Sequence, residues 1–172
     1  MPTEEELIAE RKRKREELLQ KGINPYPYRY EPTHKSIDVS SKYAGLKPED
    51  ATGDAVKVAG RIVGLRRLGK ATFMHILDEK GKLQIYYKFD DIPKIYDLLK
   101  LTDVGDWIGV EGTIFKTSTG EITVKATNFE VLCKSLRPLP EKWHGLKDVE
   151  QRYRKRYVDL TINPEIRKTF VK

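Results

Sequence analysis

The sequence is poor in the features that mark secreted, membrane or metal-dependent chains. It holds one cysteine, Cys133, which excludes an intrachain disulfide and a cysteine-based zinc cluster. Its three histidines, His34, His75 and His144, are too scattered for metal-ligand spacing, and no glycine-rich loop could cradle a phosphate. No catalytic residue, metal ligand or cofactor is therefore expected within these residues. No apolar run approaches the ~20 residues of a membrane span, and the opening MPTEEELIAERKRKREE lacks the apolar stretch of a signal peptide. These absences imply a reducing, cytoplasmic setting and no membrane partner.

What remains is a polar, basic chain of 172 residues, long enough for one sizeable core with attachments or two small domains. Lys and Arg number 33 against 26 Asp and Glu, a net charge of +7 that favours a polyanionic partner such as nucleic acid. A basic domain with no such partner is the competing reading.

Thr3 with Glu6 three residues later forms a capping-box pattern, and the helix it starts would run to Gly22, with Pro25 preventing continuation. Leu7, Ile8, Leu18 and Leu19 give this helix a narrow apolar line near its ends, enough to lean on a neighbour. Between them Arg11, Lys12, Arg13, Lys14 and Arg15 point around every side and suit a nonspecific RNA backbone contact; a solvated charged helix is the alternative. The run NPYPYRYEPTH makes an extended connector, a short helix is expected over 37–45, and LKPEDATGD supplies turn residues at a boundary.

From Ala55 to Lys134 the dominant period is two, the strand signal. It predicts strands at 55–66, 71–78, 82–88, 106–116 and 121–133, with Gly60 and Gly64 as bend or bulge points. A helix over 92–101, capped by Asp90 or Asp91, separates the third and fourth strands. Three antiparallel strands, a helix and two more strands is the order of a mainly β, five-stranded OB-fold, a Greek-key barrel. A plain meander or an SH3-like barrel would lack the intervening helix. Three segments follow: 1–54, the basic helix, connector and short helix; 55–134, the barrel; and 135–172, a linker and the start of a further domain. Asp148 would cap a charged helix through Tyr157 and Leu160, and Asn163-Pro164 would open another that stops soon after Phe170, as in a fragment.

An OB barrel presents nucleic acid on its second and third strands, framed by the loops between strands one and two and between four and five. The first loop carries Arg66, Arg67 and Lys70. With Met74 and Ile76 inward, Phe73 and His75 take the outer parity, and so do Gln84 and Tyr86 on strand three. An exposed phenyl ring suits base stacking, and a Gln amide suits the edge of an unstacked base. Glu121 follows the second loop, where it could accept from a base or balance Lys116 or Lys125.

The runs VAGRIVGLRRLGKATFMHILDEKGKLQIYYKFDD and GVEGTIFKTSTGEITVKATNFEVLCKSLRPLPEKWHGLKDVEQRYRKRYVDL closely resemble those of bacterial-type class II lysyl-tRNA synthetases. The resemblance covers about residues 55–170 and is most specific in RPLPEKWHGLKDVEQRYRKRYVDL. It implies an anticodon-binding OB-fold placed N-terminal to an antiparallel-sheet catalytic domain, and a tRNA-Lys partner recognised through a U-rich anticodon. It places the anticodon contacts on Arg66 in LRRLGK, Phe73 in KATF, Gln84 in KLQIYY and Glu121 in KTSTGE. By the same resemblance the catalytic motifs that hold ATP, lysine and magnesium, with most of a homodimer interface, lie beyond Lys172. This chain would then bind tRNA without ligating and could be monomeric. A general single-strand-binding OB protein and a protein-assembly module remain the alternatives.

Overall fold

In the computed structural model, residues 2–139 and 149–171 are described; His144 and the proposed cap Asp148 fall outside them. The chain divides into two units, Met1–Arg137 and Pro138–Lys172.

The first unit is built on five strands: β1 (Ala51–Leu68), β2 (Ala71–Leu77), β3 (Lys82–Lys88), β4 (Trp107–Lys116) and β5 (Ile122–Cys133). They close into a barrel in the order β1-β2-β3-β5-β4, every pairing antiparallel except β3 with β5. The period-two residues are why it closes. Val56, Val58, Ile62, Met74, Ile76, Leu83, Ile85, Ile108, Val110, Ile114 and Val124 are all buried and share one interior. Helix α3 (Pro93–Leu99) lies between β3 and β4, and its buried Tyr96 donates to the Gly69 carbonyl at 3.2 Å and meets the Thr72 hydroxyl at 3.1 Å.

Two expectations are corrected here. β1 begins at Ala51, because Ala51 finds a partner in Phe115 across a register shift, so the end of LKPEDATGD is an irregular strand and not a turn. The cap of α3 is neither Asp90 nor Asp91. Ile92 holds the N-cap position with its side chain buried, while Asp90 faces Lys70 and Lys88 and Asp91 pairs with Lys125 at 3.0 Å. The expected bulge in β1 falls between Ile62 and Gly64, whereas Gly60 pairs in regular register with Ile108.

Helix α1 (Glu4–Gln20) starts on the expected capping box, with Glu6 N donating to Thr3 Oγ1 and Thr3 N to Glu6 Oε2. It does more than lean: Leu18 is fully buried in the barrel's core cluster. Nor does its basic run point outward on every side. The Arg11 guanidinium is buried and donates to the carbonyls of Val104 at 2.9 Å and Ser135 at 3.1 Å, and Lys14 pairs with Asp103 at 2.6 Å. Backbone carbonyls left free where β4 begins and β5 ends need donors, and a long guanidinium can supply them from one helix face.

Beneath Lys14 sits an ion cluster. Lys134, fully buried, reaches Asp103 at 2.6 Å and Asp106 at 2.8 Å, and Asp106 also accepts from the amides of Asp103 and Ser135. Burial raises the Asp106 carboxyl despite Lys134. At Asp103 burial also acts upward, but Lys134 and Lys14 outweigh it and hold the carboxyl low.

The connector packs along β1. Thr33 N and His34 N donate to the Lys57 carbonyl, Tyr26 Oη donates to the Lys134 carbonyl, and Tyr30 lies against Gly109, where a Cβ would fall 2.2 Å from its ring. Helix α2 (Ser36–Lys42) is tied to the β2–β3 turn by Asp78, whose carboxylate accepts from Ser36 N at 2.6 Å, Lys80 N at 2.7 Å and Gly81 N at 2.8 Å. Burial pulls this carboxyl up, but the three amides outweigh it, and its pKa lies below the ordinary value. A depressed carboxylate stabilises the fold above its unfolded pKa, and that stability is lost as pH falls through the folded value. Asp78→Ala should therefore cost about 1–3 kcal/mol at neutral pH, with the melting difference from wild type shrinking as the pH is lowered below the ordinary Asp value. A difference that stays constant with pH would remove the carboxylate from this role.

The second unit holds three helices, α4 (Val149–Arg154), α5 (Arg156–Ile162) and α6 (Pro164–Phe170). The single helix expected through Leu160 breaks at Lys155, which has φ −114° and ψ 49°. The break lets Arg152 and Arg156 both turn to the buried Asp159, which also accepts from Asn163.

Candidate nucleic-acid interface

The residues singled out on the barrel fall into two rows on its outer face, because residues directly opposite across a ladder share a face. In the first, Arg66 of β1 stands opposite Phe73 of β2, Phe73 opposite Tyr86 of β3, and Tyr86 beside Lys125 of β5. In the second, Gly64 stands opposite His75, His75 opposite Gln84, Gln84 beside Thr123 and Thr123 opposite Phe115 of β4. The register that closes the barrel thus also assembles the face.

The first row is aromatic between cations. Phe73 and Tyr86 stack at a tilt, ring centroids 4.8 Å apart, and Phe115 meets the far side of Tyr86 edge-on at 5.8 Å. All three rings are partly buried, each leaving area for a planar ligand. Arg66 is exposed at the open end of the row. Its neighbour Arg67 is otherwise engaged, donating to the carbonyls of Leu99 and Thr102, both at 2.9 Å, at the end of α3. Of the two arginines in the loop, then, Arg66 is the one facing solvent without such a partner among the described residues.

The second row is a polar network. Gln84 Nε2 donates to Glu121 Oε2 at 2.6 Å and lies 3.3 Å from His75 Nε2, while His75 Nε2 lies 3.0 Å from Glu121 Oε1. Gln84 Oε1 accepts from the Thr123 hydroxyl at 2.8 Å. Gly64 faces His75 directly, and a Cβ there would meet His75 Nδ1 at 3.4 Å, an ordinary contact distance. Glu121 is set by the preceding turn, in which Gly120 takes φ +87° and Thr117 Oγ1 accepts from the Glu121 amide at 3.0 Å. Neither expected charge partner holds Glu121: Lys116 donates to the carbonyls of Ala44 and Leu46, and Lys125 pairs with Asp91.

Arg66, Phe73, Gln84 and Glu121 are thus brought to one face, but Gln84 differs from its expected exposure. It is only 8 % exposed, because Thr123, Glu121 and His75 enclose its amide. Two members of the face escaped sequence reasoning. Phe115 could have been found by parity, being an aromatic at the outward position next to Ile114; Thr123 carried no such signal, since a threonine in a strand is ordinary.

The basic run of α1 lies apart from this face in its bonding. Arg13 pairs with Glu10 at 2.7 Å and with Glu17 at 3.1 Å, Arg15 pairs with Glu16, and Lys12 is exposed. No group of three His, Cys, Asp or Glu side chains among the described residues is placed to hold a metal ion, and no described helix is long and apolar enough to cross a membrane.

Residues 56–132 match the family model of the tRNA-anticodon OB-fold nucleic acid binding domain. Curated relatives named lysine–tRNA ligase are similar along nearly all of the chain. One from Pelotomaculum thermopropionicum is 50% identical over 166 residues, covering 96% of this chain and 32% of that protein. One from Bacillus subtilis is 49% identical over 164 residues, covering 94% and 33%. One from Moorella thermoacetica is 44% identical over 172 residues, covering 99% and 34%. The chain thus spans about a third of the length of the curated relatives it matches.

Proposed function

We propose, from the match of residues 56–132 to the family model of the tRNA-anticodon OB-fold nucleic acid binding domain, that the outer face of β2, β3 and β5 reads the anticodon loop of a lysine tRNA. The observation that supports this most is the first row, in which a half-covered aromatic pair lies between the exposed Arg66 and Lys125, beside the Gln84–Glu121 network of the second row. Phe73 is the stacking platform for one unstacked base. Arg66 at the row's end donates to a base edge or a neighbouring phosphate. Gln84 and Glu121 supply the amide and the carboxylate that a Watson–Crick edge requires for discrimination.

The basic helix contributes less than its composition suggests. Arg11 and Lys14 are committed to the barrel, so any nonspecific RNA backbone contact rests on Lys12, Arg13 and Arg15. The relatives that this chain matches over about a third of their length are named lysine–tRNA ligase, and the barrel supplies the anticodon-reading part of that activity. The whole protein works as a homodimer in the cytoplasm, and the present chain binds without catalysing.

The test is binding to a lysine anticodon stem-loop bearing UUU, against one with the middle U replaced, at matched moderate salt. A mismatched base should weaken binding by about 1–3 kcal/mol. Equal binding of both would leave a general single-strand binder and end the anticodon assignment.

A further inference from the structure

A glutamine amide is nearly symmetric in shape and opposite in chemistry at its two ends. A half-turn about its last bond exchanges donor and acceptor with little change in volume. A Gln that discriminates bases therefore needs something to hold its rotation, or it presents both patterns in turn.

At Gln84 that rotation is acted on from two sides, by Glu121 with His75 Nε2 3.3 Å from the NH2 on one and by Thr123 on the other. The Glu121 carboxylate only accepts, so it faces the NH2, at 2.6 Å. The carbonyl then points the other way, to the Thr123 hydroxyl at 2.8 Å. Thr123 is fully buried, and the Glu121 carbonyl, 3.1 Å away, also competes for its hydroxyl. A valine has the same branched shape and suits a buried strand better, so the hydroxyl has no packing purpose. Its neighbour across the β3–β5 ladder is Gln84, and it is the donor available to a carbonyl that water barely reaches.

We infer that Thr123 is a positioning residue for base discrimination: its hydroxyl holds the Gln84 carbonyl and thereby keeps the amide NH2 turned toward Glu121 and the ligand side. This rests on the anticodon reading proposed above. The Glu121 side chain is about half exposed and open to a base, whereas Thr123 is fully buried in β5. The buried end of the amide is thus the anchor, and the exposed end is the reader.

The test is Thr123→Val in the full chain, with Thr123→Ser as the conservative variant. Binding is measured to the UUU stem-loop and to the stem-loop with its middle U replaced, and the side-chain amide of Gln84 is followed by NMR without RNA. Thr123→Val should lower the ratio of the two affinities by about threefold to tenfold, while Thr123→Ser keeps the wild-type ratio. In the free protein the Gln84 NH2 resonances should shift and exchange faster in the valine variant only. A wild type that discriminates while the valine variant keeps its ratio would overturn the inference and leave the anticodon reading intact. Equal weakening toward both stem-loops would assign Thr123 a structural role and also overturn it. A wild type that does not discriminate would overturn both.

Discussion

Replacing Lys134 with methionine is expected to destabilise the first unit by about 3–5 kcal/mol, the usual cost of removing one partner from a buried ion pair. The methionine fills a similar volume, so the loss comes from the charge left behind. Asp106 is fully buried and would keep its two amide donors but lose its only cationic partner among the described residues. Asp103 would suffer less, because Lys14 still reaches it from α1 at 2.6 Å. Adding Asp106→Asn to the methionine variant should recover part of the loss by removing the stranded charge. Thermal or denaturant unfolding of the three proteins checks this. A single variant within about 1 kcal/mol of wild type, the range of an exposed pair, would show that the cluster is solvated in practice.

Phe73→Ala should weaken binding to the UUU stem-loop by about 1–3 kcal/mol, the worth of one base–aromatic stack. The fold should hold, because Phe73 stands outside the core cluster and its ring contact is with Tyr86. Losing that aromatic contact costs only about 0.5–1.5 kcal/mol of stability. The two effects separate cleanly: titration with RNA reads the first and a melt without RNA reads the second. Undiminished affinity would move the stacking site to Tyr86 or to Phe115, whose ring meets Tyr86 edge-on.

What the sequence made legible follows from how local each signal is. Strand positions and the helix between β3 and β4 came from alternation and breakers within windows of ten residues, and the capping box of α1 from four. Phe73, His75, Gln84 and Tyr86 came to one face because parity along a strand survives folding. Parity does not report burial. Gln84 has the outward direction and is enclosed all the same, through neighbours on β5 that only the parallel pairing brings near. Arg11 shows the same limit on a helix. Five consecutive basic residues look alike in sequence, yet one is sealed against carbonyls 93 and 124 positions away. The cap of α3 was misread because Asp90 and Asp91 have the right chemistry, while Ile92 had a buried position to fill.

The one parallel pairing, β3 with β5, has a consequence for a chain emerging from the ribosome. β1, β2 and β3 can form a meander as soon as residue 88 is free, and that meander already displays Arg66, Phe73, His75 and Tyr86. The Gln84 amide, however, has no anchor until Thr123, 39 residues later, is laid alongside it. Helix α1, made first of all, cannot settle Arg11 until Ser135 has been added. A half-made chain can therefore offer stacking and charge to any RNA, but the groups that distinguish one base from another arrive only with closure. Selectivity is in this sense a late event of synthesis, reached in the step that brings the last strand home and docks the first helix.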